Sequence, residues 1–249
     1  MDIVRICGGD YMQYEALLLR RDSLKKDALH WQDEYIRVFG ELIMEVYKKQ
    51  VECIKLKKSI AFCQAERNRG NTPDREKLDD YIAGIMSGYY EKLRSMADEN
   101  KACREAKSVP EYDMLRIKKI YRDIAKKLHP DISPLTGQYP ELLELWYRLV
   151  SAYNCNSLKE TEEVAALINS FLERNGEEHF EMVIPDISER ITALETEIQR
   201  IVTTAPYNYR ELLCDRKLVE EKKQSLNEEL KTYSDYADKL QAVLDEFLT

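Results

Sequence analysis

Glycine and proline are scarce in this chain, 8 and 7 among 249 residues. β-Sandwiches and doubly wound α/β folds need many tight turns, so this poverty in turn-formers favours long helices instead. Cysteine is present at 7, 53, 63, 103, 155 and 214, but no two positions make a C-x-x-C pair. Neither a zinc site nor a disulfide framework is expected from that spacing, and reduced thiols are. No uninterrupted apolar run approaches the ~18 residues that a membrane-spanning helix requires. The first ten residues also lack the basic start and apolar core of a secretory signal. A soluble, cytoplasmic protein with no membrane association is the expectation.

Cationic excess is missing as well. Lys and Arg total 38 against 46 Asp and Glu, a net charge of −8, which disfavours general nucleic-acid binding. The histidines are only His30, His129 and His179, each in a different expected element and without a second ligand cluster. With no phosphate-binding G-x-x-x-x-G-K-[ST] loop and no G-x-S-x-G elbow either, no catalytic residue, metal or cofactor is expected, and the chain is not read as an enzyme.

What is present is helical periodicity. From about Tyr11 to Arg67 there is no proline, and Leu17, Leu24, Ala28, Trp31, Tyr35, Val38, Leu42, Val46, Cys53, Leu56, Ile60 and Cys63 recur at threes and fours, a coiled-coil-like seam. Near Phe39 and Gly40 the seam broadens, as at a bend or a second partner. Gly70, Thr72 and Pro73 form a stop and restart, with Thr72 as the expected N-cap. A second helix over about 73–106 follows, with Leu78, Ile82, Ile85, Tyr89, Met96 and Cys103 on one face. Its Gly84 and Gly88 read as a close-packing feature.

Ser108-Val109-Pro110-Glu111 resembles a capping box opening a helix over about 110–128. One face of that helix carries Leu115, Ile117, Ile120, Tyr121, Ile124 and Leu128. The other shows Arg116, Lys118, Lys119, Arg122, Lys126 and Lys127 with a single acid, Asp123. Pro130 stops it. Pro140 opens the next helix, with Leu142, Leu145, Trp146, Leu149, Ala152 and Tyr153 inward, and another over about 158–174 turns Val164, Leu167, Ile168, Phe171 and Leu172 inward. After a short β-prone stretch at Phe180–Ile184, Pro185 restarts a helix with Ile187, Ile191, Leu194, Ile198 and Ile201 as its seam. A turn at 204–208 leads to a last helix over about 209–248.

A basic helix, a His129-Pro130-Asp131 loop and an antiparallel helix with inward aromatics together resemble a J-domain, the DnaJ-type co-chaperone module. Ile117 to Leu128 looks like the family's second helix, His129-Pro130-Asp131 its signature loop, and Trp146 to Tyr153 its third helix, with Trp146 where the family usually has Phe. The resemblance covers about 45 residues. Departures are Asp123 on the normally basic face and Ile132 where a basic residue commonly follows the tripeptide. Tyr89-Tyr90-Glu91-Lys92-Leu93 looks like the family's opening helix but lies too far upstream, so the first helix is expected from about 88–106.

The resemblance implies that the second helix docks on an acidic surface of a DnaK-type heat-shock ATPase and that the His-Pro-Asp loop triggers ATP hydrolysis there. The residues implied for that contact are His129, Pro130, Asp131, Lys118, Lys119, Arg122, Lys126 and Lys127. Cationic side chains suit steering toward an acidic patch. The expected fold is all-α: an N-terminal helical hairpin (1–107), a central J-domain-like module (108–176) and a C-terminal antiparallel coiled-coil-like hairpin (177–249). The hairpins would place the activity on a protein client or complex. The competing expectation is a structural or adaptor protein that binds partners through its hairpins and keeps a degenerate J-like module.

Overall fold

The computed structural model describes residues 8–105, 109–175, 184 and 186–248. Among them the fold is all-α, without a strand: α1 (Gly8–Asn68), α2 (Arg75–Glu105), α3 (Glu111–Leu128), α4 (Leu135–Gln138), α5 (Pro140–Asn154), α6 (Leu158–Asn175), α7 (Ile187–Thr203), α8 (Tyr209–Cys214) and α9 (Arg216–Leu248). None of these helices is long and apolar enough to cross a membrane. Cys7, Ser108 of the expected capping box, Gly176, His179, the β-prone residues 180–183 and Pro185 lie outside the described residues.

Local chemistry explains the helix ends. Gly70 takes φ +79°, the left-handed conformation that lets the chain leave α1. The Glu76 N–H donates to Asp74 Oδ1 at 2.9 Å, so Asp74, and not Thr72, caps α2. Pro110 occupies the cap position of α3 and offers no side-chain bond. The expected last helix is two, because Asp215 accepts the Lys217 N–H at 2.8 Å and starts α9 afresh after the short α8.

The chain forms two compact units that interleave along the sequence: Met1–Trp31 with Lys107–Asn208, and Gln32–Ala106 with Tyr209–Thr249. Each unit is discontinuous in sequence, unlike the three consecutive segments expected. Residues 88–105, expected to supply the first helix of the J-like module, belong to the second unit, and α7 and α9, expected as one hairpin, belong to different units. In the first unit Ile191 and Leu194 of α7 cluster with Tyr14 and Leu18 of α1, while in the second Leu226 of α9 clusters with Phe39 and Val46 of α1. A heptad stripe records that a helix has an apolar partner and leaves the partner unnamed.

Some inner faces also shift from expectation. Val38, Ile85, Tyr89, Leu115 and Leu167, expected on inner faces, are exposed, whereas Met86 is fully buried; Ile117 and Phe39 are buried as expected. A 3.5-residue repeat and a 3.6-residue helix drift apart with length, so a seam counted over many turns rotates off the true face. In the second unit, a methyl group at Gly40 would overlap Asn100 Oδ1, so the glycine is what admits the buried Asn100 of α2 against α1.

Candidate partner-binding site around His129, Pro130 and Asp131

The first unit is organised on α3, α5 and α6. Ile117, Tyr121, Ile124 and Leu128 of α3 meet Leu142, Trp146, Leu149 and Tyr153 of α5 and Val164 and Ile168 of α6 in one apolar cluster. Each fully buried aliphatic side chain contributes ~1.5–3 kcal/mol. The rings of Tyr121 and Tyr153 stack at 4.0 Å between centroids, and Trp146 meets His129 edge-on at 5.2 Å. The expected inward positions of α5 are therefore inward, and α6 joins them through Val164, Ala165 and Ile168.

At the end of α3 the tripeptide is held by its own backbone. The His129 carbonyl accepts the N–H groups of Ile132 and Ser133, each at 2.9 Å, and the His129 N–H donates to the Ala125 carbonyl at 2.9 Å. The Asp131 N–H donates to His129 Nδ1 at 3.1 Å. That bond makes Nδ1 an acceptor and puts the proton of the neutral ring on Nε2. Pro130 is exposed and Asp131 half-buried, but His129 is only 5% exposed.

The cover over His129 comes from α1. Asp22 Oδ2 lies 3.5 Å from His129 Nε2 and accepts the Tyr121 hydroxyl at 2.8 Å. Arg21 pairs with Asp22 at 2.9 Å and reaches Asp131 at 3.7 Å. Burial alone would raise the Asp22 carboxyl, but the bond from His129, the Arg21 charge and the Tyr121 hydroxyl together hold it down at about 2. Burial and the Asp22 charge push the Tyr121 hydroxyl up in turn. Lys26 is buried over the Tyr153 ring, 3.9 Å from its centroid, and donates to the Tyr153 carbonyl. Burial, then the nearby Lys118 charge, lower it to about 8. The available signal was a spacing of four, Tyr14-Leu18-Asp22-Lys26, in which charged residues continue an apolar row.

The expected cations divide in two. Lys118 pairs with Asp27 at 3.0 Å and Lys126 with Glu15 at 3.8 Å, both partners on α1. Lys119, Arg122 and Lys127 are exposed and pair with no carboxylate among the described residues. Lys119 and Lys127 line an open groove of about 860 Å³ between α3 and α6, together with Arg116, Asp123, Tyr112 and Leu115. Asp123 thus stands among the cations rather than against them. Ile132 is 2% exposed and packs with Tyr14 and Leu18 of α1 and Ile191 and Leu194 of α7.

Compared with known proteins, the chain matches no family model, no curated protein and no solved structure.

Proposed function

We propose that this chain is a J-type co-chaperone, which recruits a DnaK-type heat-shock ATPase and stimulates its ATP hydrolysis through His129-Pro130-Asp131. The observation that carries the reading is the helix–loop–helix of α3 and α5: a tripeptide whose turn is fixed by bonds to both the ring and the backbone of His129, at the end of a helix whose exposed cations Lys119, Arg122 and Lys127 pair with no carboxylate among the described residues. A rigid turn presents its polar groups without further ordering cost, and exposed cations speed encounter with an acidic surface. The protein itself performs no chemistry in this reading. It acts in the cytoplasm, and the second unit places it on a client or complex.

The test is single-turnover ATP hydrolysis by a DnaK-type chaperone from the same cell, with the intact protein in excess and with its His129→Gln variant. Stimulation that the substitution abolishes is expected. Stimulation that survives it would overturn the reading.

A second reading, an adaptor that works through the helices of the second unit, is favoured by one feature. Tyr81, Ile85, Tyr89 and Tyr90 of α2 are exposed, and the space beside Gly84 and Gly88 is open. That reading predicts partner capture lost with Tyr81→Ser and Ile85→Ser and indifferent to His129→Gln.

A further inference from the structure

The contacts between α1 and the tripeptide have a consequence for how the site is used. Going up α1 from Glu15 through Asp22 to Asp27, the partners run down α3 from Lys126 through Tyr121 to Lys118. The two segments are therefore antiparallel, and three carboxylates of α1 are spread along the cationic helix. The same turns close over the loop: Arg21, at 3.4 Å, and Asp22, at 3.5 Å, both approach His129 Nε2, and the Tyr11 hydroxyl donates to the Ile132 carbonyl at 3.4 Å. Tyr14 and Leu18 pack with Ile132, Ile184, Ile191 and Leu194 in one apolar cluster inside this polar border. An apolar centre with a charged, hydrogen-bonded rim is the anatomy of an interface.

α7 secures the outer edge. Glu197 is 2.8 Å from Lys25 and 4.0 Å from Arg21, and Gln13 donates to Glu195 at 3.5 Å.

We propose that the α1 turns from Tyr11 to Asp27 are an internal ligand of the α3 and His129-Pro130-Asp131 face, which an acidic partner surface must displace before it can dock. The inference rests on the co-chaperone reading and adds its regulation. Its logic is competition: Lys118, Lys126 and His129 have cis partners, so an external carboxylate surface gains only what it offers beyond Glu15, Asp22 and Asp27. Lys119, Arg122 and Lys127 remain open to begin the encounter. Ile132, apolar and buried, is the floor on which α1 sits.

The experiment uses the full chain with Glu15→Lys and Asp27→Lys together, which turns two attractions into repulsions and leaves Tyr14, Leu18 and the Asp22 bonds in place. Glu15→Gln with Asp27→Asn is the milder companion, and circular dichroism checks that each variant is folded. Two quantities are read: the rate at which diethyl pyrocarbonate modifies His129, resolved by peptide mass spectrometry, and the concentration giving half-maximal stimulation of the DnaK-type ATPase. Reversal is expected to speed His129 modification and to lower the half-maximal concentration by about tenfold, with a smaller shift for the neutral pair and with all stimulation lost on adding His129→Gln.

Unchanged modification of His129 in the reversed variant overturns the proposal. So does faster modification with the same concentration dependence, an outcome that leaves the co-chaperone reading standing. No stimulation from the wild type or from either folded variant overturns the co-chaperone reading itself, and the internal ligand with it.

Discussion

In the unit built from α2, α8, α9 and the larger part of α1, buried side chains are almost all apolar: Phe39, Val46, Val51, Leu56, Leu78, Ile82, Met86, Leu226 and Leu244, with Ser59 and Asn100 among them. In the unit built on α3, α5, α6, α7 and the start of α1, the buried set also takes in Lys26, His129, Ser133, Thr136 and Thr161, with Asp22 beside them at 13% side-chain exposure. Both units are helical and both keep apolar clusters, so secondary structure does not separate them. Polar burial does. A buried charge costs several kcal/mol unless it is paired and hydrogen-bonded, so it survives only where the surrounding atoms fix one arrangement. The first unit meets that cost around His129, and among the described residues of the second there is no such cluster.

The comparison can be broken by substitutions matched to each unit. Largest is Phe39→Ala in the second unit, where a fully buried ring is removed from the cluster with Val46 and Leu226. It should lower unfolding free energy by about 4 kcal/mol in urea titrations. Its penalty should be equal at pH 7 and pH 3. A penalty that changes with pH would show that the second unit also depends on a titrating network.

Asp22→Asn should cost about 2 kcal/mol at pH 7, by the gap between a folded value of about 2 and the ordinary 3.8. The sign follows from the direction of that shift. A carboxyl lowered in the folded state gives its full stabilisation above pH ~4 and loses it as pH falls through ~2. The difference between wild type and variant should therefore shrink between pH 4 and pH 2, which is the opposite of the pH-independent Phe39 result. Urea unfolding at both pH values checks it, and a constant difference would mean that Asp22 acts by shape alone.

Smallest is Gly40→Ala. The added methyl meets Asn100 Oδ1 and, at 3.0 Å, Ile36 Cγ2, so a loss of about 1–2 kcal/mol is expected. Placing Asn100→Ala on top should recover part of it. Additive losses instead would show that α1 and α2 are not in close approach at Gly40.

Much of the fold was legible before folding was considered. A chain without proline from Tyr11 to Arg67 has little else to do than form α1, and Pro110, Pro130 and Pro140 bracket α3 and α5 as a proline that lacks an N–H must. Within the candidate site, the basic face of α3 and the aromatic face of α5 could be named from periodicity, and the tripeptide from the family resemblance. Arg21 and Asp22 could not. They lie about a hundred residues upstream on a helix whose pattern reads as an ordinary seam, and a local pattern carries no record of distant contacts.

The sequence by itself determined that the chain is helical and that His129-Pro130-Asp131 ends a cationic helix. Those properties depend on neighbours within a few residues, through backbone bonds, caps and the 3.6-residue turn. Only the tertiary structure decided that α1 lends its first turns to one unit and the rest to another, and that its Arg21 and Asp22 cover the histidine. Apolar stripes accept many partners at nearly equal cost, whereas a buried carboxylate accepts few, and Asp22 is satisfied among Arg21, Tyr121 and His129.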